Sequence, residues 1–152
     1  MKKLVAVVLA LICLMSVVPL NVFAANEVKN DQVIYLEDGN YMVVSIETSP
    51  ARVANTVSGS KTFSVCNAND EVLWKVKVTA TFAYSGAWYT CTKVSGDVTI
   101  YNSNWYAITK NPFRSNNNAS VELVMGRKQN GVTVEQPHYV FTLTCNIDGT
   151  LS

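Results

Sequence analysis

The side chains that could do chemistry in this chain are few and dispersed. His138 is the sole histidine. A histidine base needs a nucleophile in reach and an acid to orient it. No Gly-x-Ser-x-Gly elbow or comparable frame accompanies it. It follows Pro137 on the outward parity of the last strand and reads as a surface side chain. The acids are scattered too. Glu37-Asp38 and Asp70-Glu71 are adjacent pairs in turn-like segments, and Glu47, Asp97, Glu122, Glu135 and Asp148 stand alone. Glycoside hydrolysis needs two carboxylates facing each other across a cleft. Neighbours on a strand point to opposite faces, so adjacency does not supply that geometry.

Metal chemistry fares no better. The stretches Asn67-Ala68-Asn69-Asp70-Glu71 and Asn146-Ile147-Asp148-Gly149 gather oxygen ligands. Neither has the spacing of a calcium loop. Their Asn, Asp and Gly are equally the residues of tight turns. One histidine and no Cys-x-x-Cys argue against zinc. No metal site and no cofactor is expected.

The aromatic residues are the more informative remainder. Trp74 belongs to a regular apolar alternation. Trp88 falls at a hairpin tip with outward parity. Trp105-Tyr106 follows Asn102-Ser103-Asn104 in a polar segment. Exposed rings beside amide side chains can stack on sugars or anchor a protein contact. Trp88, Trp105 and Tyr106 are therefore the candidate ligand-binding residues. The competing reading is that Trp105 caps one end of the core.

The first 24 residues place this chemistry in a compartment. Lys2 and Lys3 precede an apolar run from Leu4 to Leu20, followed by Val22-Phe23-Ala24. This reads as a secretory signal peptide cleaved after Ala24, leaving one domain over residues 25–152. The apolar run is short for a membrane span and contains Pro19. The 12 basic and 11 acidic residues become ten and eleven once Lys2 and Lys3 are removed. A net charge near −1 gives no electrostatic basis for nucleic-acid binding. No membrane association is expected after cleavage.

Positioning these residues falls to β-strands. After the leader, Val, Thr, Tyr, Phe and Trp occur in short runs broken by Gly, Asn, Asp and Ser. Strands are expected over 32–36, 41–48, 62–66, 72–84, 88–101, 120–128 and 132–145. Residues 49–58 are ambiguous, and Gly59 reads as a break. Trp74 to Tyr84 alternate apolar and polar as a half-buried strand. Ser85-Gly86 then fits a two-residue turn, which would set Phe82 against Tyr89 and Ala80 against Cys91. The parity slips beyond Cys91, so a bulge is expected near Thr92-Lys93. Asn130-Gly131 predicts a type I′ hairpin. Pro137 cannot donate to a ladder and marks a second break.

Three cysteines survive cleavage, Cys66, Cys91 and Cys145. An odd count means one bridge and a leftover thiol, or no bridge. Cys91 and Cys145 fall on core-facing parities. A bridge between them closes a loop of about 55 residues, worth on the order of 4 kcal/mol if unstrained. Cys66 has the opposite parity to Phe63 and Val65 and is the expected free thiol. Cys66–Cys91 and Cys66–Cys145 are the alternatives.

At these residues the chain resembles a family of small exported proteins of Gram-positive, largely gut-dwelling bacteria. The likeness covers nearly the whole mature chain. It is carried by Asp38-Gly39-Asn40-Tyr41, Ser58-Gly59-Ser60-Lys61-Thr62, Leu73-Trp74, Phe82-Ala83-Tyr84, Cys91-Thr92 and Tyr101-Asn102-Ser103. The closing stretch, Leu143-Thr144-Cys145-Asn146-Ile147-Asp148-Gly149-Thr150-Leu151-Ser152, completes it. The resemblance implies cysteines at the places of Cys91 and Cys145 and commonly an aromatic at the place of Cys66, which supports a Cys91–Cys145 bridge. It implies no activity.

The fold expected is an antiparallel β-sandwich of about seven strands, immunoglobulin-like in broad architecture. The function expected is a secreted, non-enzymatic module that binds an extracellular glycan or protein. A secreted antibacterial effector is the alternative, and a hydrolase ranks behind both.

Overall fold

A computed structural model describes residues 27–36, 38–49, 55–85 and 87–152. The expected signal peptide, residues 1–24, lies outside the described residues. Nine strands make up the described chain: β1 (Glu27–Tyr35), β2 (Tyr41–Ser49), β3 (Thr56–Cys66), β4 (Val72–Tyr84), β5 (Tyr89–Ile100), β6 (Trp105–Ser115), β7 (Asn118–Gln129), β8 (Val132–Glu135) and β9 (His138–Thr144). They form an antiparallel β-sandwich. One sheet runs β1-β2-β3-β4-β5, and the other pairs β7 with β6 on one edge and with β8 and β9 on the other.

Period-two alternation builds the core. Met42 and Val44 from β2, Phe63 and Val65 from β3, and Trp74 to Phe82 at even positions of β4 face Ala119, Val121, Leu123 and Met125 of β7. Phe141, Leu143 and Cys145 complete it from the last strand and its end. Five residues of β4 alone are at most 2% exposed. Burial of the Val and Phe side chains among them is worth about 1.5–3 kcal/mol each. The Trp74 ring sits among Trp105, Tyr139 and Phe141, with centroids 5.4–6.2 Å away. Its indole nitrogen is the one fully buried side-chain polar atom without a partner among the described residues.

The bulge expected near Thr92-Lys93 is present: Phe82 pairs with Cys91 while Thr81 pairs with Lys93. The tight β4–β5 register is not. Tyr84 pairs with Tyr89, and Ala80 with Val94. Ser85 donates to the Trp88 carbonyl at 2.9 Å, so the hairpin closes one residue further along than a Ser85-Gly86 turn would place it. Asn130 and Gly131 both have positive φ, 53° and 81°, as a type I′ turn requires. The chain from Val132 onward divides into β8 and β9 around Gln136-Pro137, and the Pro137 carbonyl accepts from Met125 instead.

Two strand expectations need correction. Gly59 is not a break but lies within β3, opposite Ala80 and Thr48. A Cβ there would sit 2.4 Å from Leu151 Cδ1 and 2.5 Å from the Glu47 carbonyl. The glycine makes room for the C-terminal residues. Strand β6 was not anticipated, because Lys110-Asn111-Pro112 reads as loop. It is an edge strand, exposed from Ala107 onward, where proline is tolerated.

Candidate functional site

In a sheet of antiparallel neighbours, alternate turns fall at the same end. The β1–β2 turn, the β3–β4 turn and the β5–β6 crossover therefore converge. Each is polar and fixed by its own side chains. Asp38 accepts from the Asn40 backbone N–H at 3.0 Å and from Asn40 Nδ2 at 2.5 Å. Asn67 Oδ1 accepts from the N–H groups of Asn69 and Glu71, while its Nδ2 donates to Glu71 at 2.8 Å. Asn102 Oδ1 accepts from the Asn104 N–H at 2.9 Å. These Asx motifs hold the turns open as rims.

Between the rims lies a cavity of about 390 Å³. Asp38, Asn40 and Asn67 line it from the first two turns, and Leu73 from β4. Asn102, Asn104 and Trp105 line it from the crossover, with Arg127 and Glu135 contributed by β7 and β8. The volume lies within the range of small-molecule sites. Trp105 is only 7% exposed, its ring packed against Trp74. It gives the cavity an apolar wall at the core boundary.

The charges are organised. Arg127 donates to Glu135 across the β7–β8 pairing. This bond, with the nearby Asp38 carboxylate, holds the guanidinium charged beyond its ordinary range. Tyr139 is pushed up by burial, and the Asp38 and Glu135 charges add to that. Carboxylates outnumber the guanidinium in the lining, Asp38 and Glu135 against Arg127. Several hydrogen-bonding groups remain without an internal partner among the described residues: the Asn104 side-chain amide, Asn102 Nδ2 and Glu135 Oε2. The site can thus both donate and accept.

The three aromatic candidates do not form one platform. Trp105 is a core residue at the cavity end, as the capping alternative held. Tyr106, beside it, lies over Gly126, where a Cβ would meet the ring at 2.3 Å. Its hydroxyl bonds Thr133 at 2.7 Å and Lys128 stands 4.9 Å from its ring. Trp88 is 54% exposed beyond the opposite end of β4. Thirteen residues at about 3.3 Å each put the ends on the order of 40 Å apart. Asn40, Asn102, Asn104 and Arg127 were missed as site residues. The signal that points to the three asparagines is the recurrence of Asx-rich turns after every second strand.

The opposite end carries Cys91 and Cys145, whereas Cys66 pairs with Tyr41 at the cavity end. The N–H groups of Cys91 and Cys145 donate to consecutive carbonyls, Asn116 at 2.6 Å and Asn117 at 3.0 Å. The expected Cys91–Cys145 bridge is not formed: Cys66, Cys91 and Cys145 are all thiols. The two sulfurs turn to local carbonyls instead, Cys91 to Lys93 at 3.3 Å and Cys145 to Asn146 at 3.4 Å. Burial pushes both thiols up, and each nearby anion would oppose ionising Cys145 further. A second cavity of about 430 Å³ at this end reaches Cys91 between Thr90, Thr92, Arg114 and Asn116.

His138 bonds Glu122 at 2.9 Å on an exposed face, away from any nucleophile frame. Among the described residues no three His, Cys, Asp or Glu side chains gather to hold a metal, and no helix is long and apolar enough to cross a membrane. No protein-family model, curated protein or solved structure matches this chain.

Proposed function

We propose that this protein is an exported, non-enzymatic module that binds carbohydrate in the cavity between the β1–β2, β3–β4 and β5–β6 connections. The observation that carries this reading is the chemistry of the lining. Sugar hydroxyls donate and accept at once. Amides, carboxylates and a guanidinium around an apolar wall suit that dual character. Trp88 lies outside this site and takes no part in it. A glycan array and calorimetry with residues 25–152 test the reading. Saturable binding that is lost on Asn104→Ala supports it. Capture of protein partners without any glycan signal contradicts it.

One observation favours a second reading. Asp38 and Glu135 line the same cavity from different sheets, as a hydrolase would need. Each is committed, Asp38 to Asn40 and Glu135 to Arg127, which suits holding a ligand more than transferring a proton. Release of new reducing ends from bound glycans would favour this second reading.

Export bears on the cysteines as well. The structure is that of the dithiol. In an oxidising compartment the adjacent placement of Cys91 and Cys145 on the Asn116-Asn117 turn favours their closure into a bridge between the sheets. The resemblance to exported Gram-positive proteins points the same way.

A further inference from the structure

Resting on the saccharide reading, we infer that the cavity takes an uncharged sugar at the end of a glycan and rejects sugar acids. The charge inventory carries the first half. Asp38 and Glu135 supply two negative charges to the lining and Arg127 one positive. That one positive charge is already spent on Glu135. The β3–β4 turn adds Asp70 and Glu71 at the same end. Lys75 and Lys128, seated over the rings of Tyr101 and Tyr106, do not line the cavity. A carboxylate entering this site would meet the like charges of Asp38 and Glu135 at close range. A hydroxyl meets acceptors it can satisfy.

The shape carries the second half. Recognition of a long chain along its length calls for an open, flat run of aromatic rings. Here Trp105 is almost wholly buried, and three connections wall the space. About 390 Å³ holds a terminal residue and part of its neighbour.

Calorimetry with two ligand sets tests this on residues 25–152. The neutral set is the methyl glycosides of glucose, galactose, mannose and N-acetylglucosamine. The acidic set is glucuronic, galacturonic and N-acetylneuraminic acid. The expected result is that at least one neutral glycoside binds and every acid binds at least tenfold more weakly. Asp38→Asn is expected to narrow that gap at least threefold, a change in ratio that mere destabilisation does not produce. Oligosaccharides ending in the preferred sugar should bind within about threefold of the monosaccharide, because contacts stop at the rim. Equal or tighter binding of an acid overturns the inference while leaving the saccharide reading intact. So does affinity that climbs steadily with chain length. Binding of neither set overturns both.

Discussion

At one end of the sandwich Trp105 is buried beneath a cavity rimmed by amide side chains. At the other, Trp88 projects into solvent while the last residues of the chain close the core. Both ends use Asn, Asp and Gly turns, yet with opposite results. At the cavity end the Asx bonds stay within each turn, and the cross-ties, Tyr41 to Asp70 and Lys128 to Asn104, leave a gap between the rims. At the closed end the bonds run between segments. Thr144 and Ser152 exchange backbone hydrogen bonds, and Cys91 and Cys145 both bond to the β6–β7 turn. Leu151 is thereby pressed against Gly59, 3% exposed. The difference teaches that turn composition alone does not decide whether an end is open. What differs is the side chain over the core: Leu151 packs on Gly59 at one end, and Trp105 walls a cavity at the other.

The sharpest way to break this comparison is to remove the apolar wall. Trp105→Ala should cost about 3–5 kcal/mol, since a large aromatic is deleted from contact with Trp74. Urea denaturation reads this directly. A loss below about 1 kcal/mol would mean that Trp105 is a surface platform after all. At the closed end Leu151→Ala should cost about 2–3 kcal/mol by leaving a cavity over Gly59. A near-neutral outcome would show that the C-terminal residues merely rest on the core.

A smaller effect concerns the two buried thiols in reducing buffer. Burial raises both above the free value of about 8.5. The folded state then holds these protons more tightly than the unfolded chain. Stability should be level below pH about 8.5 and fall as pH climbs through the raised values. Urea midpoints across that window check the sign. The decline should flatten in the Cys91→Ala/Cys145→Ala variant, and an unchanged slope would contradict the assignment.

Much of the fold was legible because local patterning agreed with tertiary packing. The even-numbered alternation of β4 marked a buried strand and its inner face together. The parity slip after Cys91 located a bulge, and Pro137 located the division of β8 from β9. Where a residue answers to a distant partner, the pattern misled. Gly59 looked like a turn because its reason for being glycine is Leu151, over ninety positions away. Strand β6 looked like a loop because its polar residues occupy an edge. The candidate site was legible only in part. Trp105 was singled out, but for stacking rather than as a wall. Arg127 and Glu135 pair across a hairpin and carry no motif, so nothing local marked them. The turns around them read as solvated because Asx turns and binding rims share one composition.

The most direct test of the central claim is an NMR titration with the neutral glycoside that binds tightest. If the open end is the binding end, ligand should shift the side-chain amides of Asn102 and Asn104 and the indole of Trp105, with the Trp88 indole unmoved. Shifts centred on Trp88 and Thr90–Thr92, with Asn102 and Asn104 unaffected, would place binding at the other end and contradict the account.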